Sequence, residues 1–240
     1  MGSLGAGRCA WLKSRRKFES TLMKDVRTQA GPANERGYPA WISTAFVVSV
    51  IIALAAVLRR LTALVHPSIG GPAEMRSLDA VFSSHAVLTC FHIVPAAVFV
   101  CLSVVYFRRN CGTFTLRSLY AFGGVTGLTA YLMSWYAIGG WIERTAVFVF
   151  NAWFLVSLGM SFKFHCRGEA AATRRWMTRA VGVLLGIATA RPVMGVFFAT
   201  STRTHLAPRD FFGLAFCIGF SINTALIEVF LRNRPAGKVG

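Results

Sequence analysis

Residues 41–58 read WISTAFVVSVIIALAAVL, 18 consecutive residues without a charge, and this run decides the class of fold. A hydrocarbon core of about 30 Å is crossed by roughly 20 helical residues, so a stretch of this length and composition is a transmembrane candidate. Comparable stretches follow at Leu78 to Phe107, Phe114 to Ile138, Glu143 to Phe162, Ala180 to Thr200 and Phe211 to Leu231. With Trp41 to Leu58 they predict an all-α polytopic transmembrane helical bundle of six spans.

The basic residues give the bundle a direction. With the N-terminus on the cytoplasmic side, alternate gaps collect 19 of the 26 Lys and Arg, the opposite gaps collect 6, and Arg191 lies inside a predicted span. Lys and Arg concentrate in cytoplasmic loops, so both termini are expected on that side. The chain then divides into a flexible basic arm over 1–40, a transmembrane domain over 41–231 and a short basic tail over 232–240.

A net charge of +17 on a soluble chain would suggest nucleic acid. Here the cations flank apolar spans, and juxtamembrane Lys and Arg attract acidic lipid headgroups with about 1 kcal/mol each. Membrane lipid is therefore the expected partner, and nucleic acid is not. No apolar run precedes Trp41, which argues against a cleaved secretory signal, whereas an Arg-rich, acid-poor leader also fits a mitochondrial transit peptide. Ala6 stands where a myristoylation signal after Gly2 expects Ser or Thr. The charge pattern thus predicts a multi-pass membrane protein and leaves open which membrane.

Soluble-enzyme templates fail. Cys90, Cys101 and Cys217 fall in spans, Cys111 and Cys166 in cytoplasmic loops and Cys9 in the arm, with no CxxC spacing, so they read as reduced thiols, with Cys9 a candidate for lipidation. There is no Gly-rich phosphate loop, paired-carboxylate motif or His-Glu-x-x-His run.

The informative residues are polar ones forced into apolar helices, since such groups turn toward a bundle interior or a water-filled path. His92, Asn151, Arg191 and Asn223 fall at comparable depths in four helices and form the candidate ligand site. Arg191 has two readings: a clamp for an anion or carbonyl, or a structural guanidinium bonded to backbone carbonyls freed by Pro192. A second cluster, Arg117, Tyr120, Arg174, Arg175, Trp176, Arg179 and Glu228, gathers at the cytoplasmic mouth. Glu228 is its one acid and is expected to pair with an arginine.

On the other side His66, Glu74, Asp79, His85, His205 and Asp210 match no metal template. Haem needs axial ligands from the interior. His85 and His92 share a helix face but lie roughly 10 Å apart along it, so a second helix would have to supply the partner. Gly123, Gly124 and Gly127 permit close helix approach, within one bundle or in a homo-oligomer.

The order of these residues resembles a known pattern. His92, then Arg117-Ser-Leu-Tyr120, Trp153, RRWMTR at 174–179, Arg191 and NTALIE at 223–228 resemble the bacterial and fungal membrane family filed as domain of unknown function 2306, over about two-thirds of the chain. Two departures stand out. Thr173 occupies a position where the family carries His, and Thr113 or Phe114 stands where another His opens the third helix. The resemblance implies a helical bundle with Arg179, Arg191, Asn223 and Glu228 as its polar core, and supplies no reaction.

Three functions therefore remain in view: a module binding a small or lipidic, anionic ligand at Arg191; an intramembrane enzyme or haem-linked redox carrier; and an organic-anion transporter. The first accounts for most of the residues, because acids and paired histidines are scarce. Whether the protein is an enzyme is left open.

Overall fold

The structure is a computed structural model and describes residues 40–66, 73–108, 113–205 and 207–233. The basic arm to Pro39, Cys9, Cys111 and the tail from residue 234 lie outside the described residues, as do the side chains of Glu74 and Arg76. Eight helices and no strands are described: α1 (Ala40–Val65), α2 (Ala73–Ser84), α3 (Ala86–Arg108), α4 (Thr113–Ser134), α5 (Gly140–Cys166), α6 (Ala170–Leu184), α7 (Gly186–Thr204) and α8 (Pro208–Arg232).

Among the described residues five stretches are long and apolar enough to cross a membrane: α1, α3, α5, α6 joined to α7 as Ala170–Ser201, and α8 from Arg209. Helix α4 falls short on composition, because Gly123, Gly124, Gly127 and several Ser and Thr dilute its apolar residues. Those glycines serve packing instead. A Cβ on Gly123 would stand 2.8 Å from Leu158 Cδ2, and one on Gly127 would run into Leu155, so α4 lies tight against α5; around Gly124 there is open space.

Two expected spans are broken. The stretch from Leu78 to Phe107 is interrupted at His85. There the Ser84 hydroxyl donates to the Val81 carbonyl at 2.8 Å and the Thr89 hydroxyl to the Phe82 carbonyl at 3.2 Å. Hydroxyls that bond nearby backbone compete with the helical ladder, and α2 ends and α3 begins at this point. The fifth span breaks at Leu185, where Ala188 N–H bonds the Leu185 carbonyl at 2.9 Å in a tighter turn. Pro192, about two turns beyond Leu185, lacks an N–H and crowds the carbonyl of residue 188.

Small residues carry α8 across that break. Gly182, Gly186 and Ala190 recur every four residues and meet Ile227, Phe220 and Gly219 of α8 respectively. Such a stripe lets backbones approach where hydrophobicity alone would not draw helices together.

The buried core forms two clusters. The larger centres on Phe99, Leu119, Phe154, Met177, Ala180 and Val181; the smaller comprises Met194, Phe211, Phe212 and Ala215. Many large apolar side chains instead point outward, including Ile51 at 61 %, Phe91 at 63 % and Val196 at 64 % exposure. An exterior this apolar needs a partner or a lipid phase to cover it.

Candidate functional site

A cavity of about 250 Å3 opens where the two core clusters meet, its lining drawn from both. Its floor is apolar, with Val100, Phe154, Val183 and Phe220, and Phe150 and Phe216 continue the wall. Polar side chains enter from separate helices: Arg60 from α1, His92 from α3, Glu143 and Asn151 from α5, and Arg191 from α7. Three of the four residues expected to meet therefore do line one space.

Asn223 is the exception. Its side-chain nitrogen donates to the Gly182 carbonyl and its oxygen accepts from Thr189 Oγ1 at 3.3 Å, on the two sides of the α6–α7 break. It binds α8 to a kinked helix and is absent from the cavity wall. Sequence depth suggested a meeting point, but the helix rotation that decides which wall a residue faces depends on packing.

Arg191 is short of partners. Its Nε is buried without a hydrogen bond, and among the described residues no hydrogen bond or ion pair reaches its guanidinium. The carbonyls around Pro192 do not receive it, so the structural account of this arginine is not the one found. Leaving a buried donor unmet costs about 1–3 kcal/mol, more for a charged group.

Two further guanidiniums stand close by. Arg59 and Arg60, expected in a loop after the first span, lie inside α1, which continues to Val65 because Leu61, Leu64 and Val65 extend its apolar pattern. Arg60 is buried and donates to Asp79 Oδ1 at 2.6 Å, while Arg59 reaches Asp79 Oδ2 at 3.4 Å. The Arg60 guanidinium also sits 3.8 Å from the centroid of the Phe82 ring, a cation–π contact. Arg191 is near enough to both for their charges to interact. Arg59 and Arg60 thus share the Asp79 carboxylate, and Arg60 and Arg191 set two guanidiniums on the cavity wall. Glu143 lines the same cavity without pairing with them: its Oε2 accepts the Gly139 N–H at 2.7 Å, and no arginine forms an ion pair with it among the described residues.

The residues grouped at the opposite end, Arg117 apart, contact one another or neighbouring helices. Arg179 binds Glu228 through two bonds, Nε to Oε1 at 2.7 Å and Nη2 to Oε2 at 3.1 Å, as expected for the one acid there. Its guanidinium lies 4.5 Å from the Trp176 ring centroid, and Trp176 meets Trp153 edge-on. Arg175 donates to the Leu231 carbonyl at 2.9 Å, Arg174 lies 5.7 Å from the Phe107 ring, and Tyr120 bonds Ser161 at 3.2 Å. Arg117 is exposed and takes no part.

The outer group disperses likewise. His85 bonds Ser84 at 2.9 Å and meets the Tyr136 ring at a tilt of 34° with centroids 3.7 Å apart, Asp210 caps α8 through the Ala207 N–H at 3.1 Å, and His66 and His205 stand exposed at helix ends. No cluster of three potential metal ligands forms among the described residues. His92 is the one histidine on the cavity wall, so the described residues do not assemble a bis-histidine haem site.

The fold and site together define a helical bundle enclosing a largely apolar, cation-ended cavity. No protein-family model, curated protein or solved structure matches the chain, so the likeness to domain of unknown function 2306 rests on its motif residues alone.

Proposed function

We propose that this is an integral membrane protein that binds a small or lipidic amphipathic anion between its helices, the head group at Arg191 and Arg60 and the apolar body against the phenylalanine wall. The observation that carries the reading is Arg191: a guanidinium with a buried, unbonded Nε on a cavity whose wall is otherwise mostly apolar. Ligand pockets combine such walls with a few polar groups, and the cavity's 250 Å3 lies just below their usual range, roughly 300–1,000 Å3, favouring a small occupant.

The membrane reading extends to six crossings. Helix α4 packs against both α3 and α5, and its 22 residues reach about 33 Å, enough to return the chain across a bilayer. Exposed aromatic residues stand at both ends, Trp41 and Phe114 opening α1 and α4, and Trp135 and Trp141 flanking the α4–α5 turn, as interfacial belts do. Six crossings put both termini on one side, and the excess of Lys and Arg assigns that side to the cytoplasm, facing acidic headgroups. Membership of domain of unknown function 2306 belongs to the same proposal.

The test is thermal stabilisation of the detergent-purified chain by decanoate. Binding that weakens about tenfold or more in Arg191→Gln, with ligand-free melting held or raised, is the expected result, since the variant removes an unpaired cation. Unchanged decanoate affinity together with lower melting would make Arg191 a structural residue. Uptake of decanoate into proteoliposomes above empty vesicles would assign transport instead.

A further inference from the structure

We infer that the occupant of this cavity carries a hydroxyl or N–H donor along its apolar body, received by His92 Nε2 and Asn151 Oδ1. This rests on reading the cavity as an amphiphile's site and adds the chemistry of the ligand's body to that of its head.

Hydrogen-bond accounting on α4 leads there. Thr129 Oγ1 lies 2.7 Å from the Val125 carbonyl and 3.1 Å from the Thr126 carbonyl. Carbonyls only accept, so the single hydroxyl proton points at them. The same oxygen is 3.0 Å from His92 Nδ1 and can meet it only as an acceptor. The imidazole therefore donates from Nδ1, and in the neutral ring Nε2 is left as a bare acceptor.

Asn151 resolves by the same rule. Its amide lies 2.9 Å from the Gly127 carbonyl, which must face the nitrogen, so Oδ1 is the free end. Among the described residues no donor reaches either atom, and both residues line the cavity. Their anchors, Gly127 and Thr129, lie within one turn of α4, so the acceptors flank that helix at one level, His92 from α3 and Asn151 from α5.

Two acceptors without a donor on an apolar wall favour a ligand that brings the donor. A plain acyl chain would leave both unmet, whereas a hydroxylated one would satisfy at least one. The site thus selects for a donor on the ligand's body separately from its head.

The experiment compares decanoate with its 4-, 6- and 10-hydroxy derivatives on the full-length protein in detergent, by thermal stabilisation, with 1-decanol and 1,10-decanediol as a neutral pair. At least one hydroxy acid should bind about three- to tenfold tighter than decanoate, the effect of one net hydrogen bond. Within His92→Phe or Asn151→Leu the hydroxy acids should bind no tighter than decanoate itself; should either variant fail to fold, Thr129→Val, which removes the acceptor orienting His92, should reduce the preference. Hydroxy acids no tighter than decanoate, or a preference that survives these variants, would overturn the inference alone. A His92-dependent preference for the diol over decanol with no decanoate binding would support the donor site and remove the anion reading. Binding of no probe would remove both.

Discussion

Arg60 Nη1 on α1 donates to Asp79 Oδ1 on α2 at 2.6 Å, with both side chains largely buried. This pair ties the helix break at His85 to the charged end of the cavity, because Asp79 is the carboxylate shared by Arg59 and Arg60 beside Arg191. Under the proposed function, this carboxylate competes with an anionic head group for Arg60.

Asp79→Asn should therefore act in opposite directions on stability and binding. Removing one partner of a buried pair leaves the other uncompensated, at a cost of about 3–5 kcal/mol. Melting of the ligand-free protein should fall, while decanoate, no longer competing with Asp79, should bind several-fold tighter. Parallel melting and titration check this; weaker binding in the variant would show that Asp79 contributes to the ligand site.

Arg179 and Glu228 should matter to packing and leave the cavity unaffected. Glu228→Gln loses a bidentate, charge-assisted contact between α6 and α8, for about 1–3 kcal/mol. Neither residue lines the cavity. Decanoate affinity should be unchanged, and a double-mutant cycle with Arg179→Met should give a coupling energy of similar size; near-additive losses would show the two side chains act independently.

The glycines of α4 separate by their surroundings. Gly127→Ala puts a methyl into Leu155 and should cost about 1–3 kcal/mol, relieved by Leu155→Ala. Gly124→Ala meets open space and should be neutral or stabilise by about 0.5–1 kcal/mol through helix propensity. If Gly124→Ala instead abolishes a detergent-resistant oligomer, that face is a subunit contact.

Much of this was legible in advance, for a physical reason. A helix satisfies its own backbone, so an apolar run announces it locally, and Trp41 to Leu58 and Phe211 to Leu231 each fall within a helix of the structure. Polar residues in such runs must find company, which is why His92, Asn151 and Arg191 could be singled out and do line one cavity. The Arg179–Glu228 pair was readable because only one acid stood among several arginines.

The tertiary structure decided the rest. Arg60 and Asp79 are separated by 19 positions in the chain, and nothing local marks them as partners. Glu143 reads as an acid in the first turn of an apolar helix, and only the packing of α5 brings it to the cavity wall. Asn223 went the other way, since the break at Leu185 presents the Gly182 carbonyl to it. Composition determines that these helices form and which of their residues are costly to leave in an apolar setting; rotation, kinks and helix neighbours determine which of those residues meet.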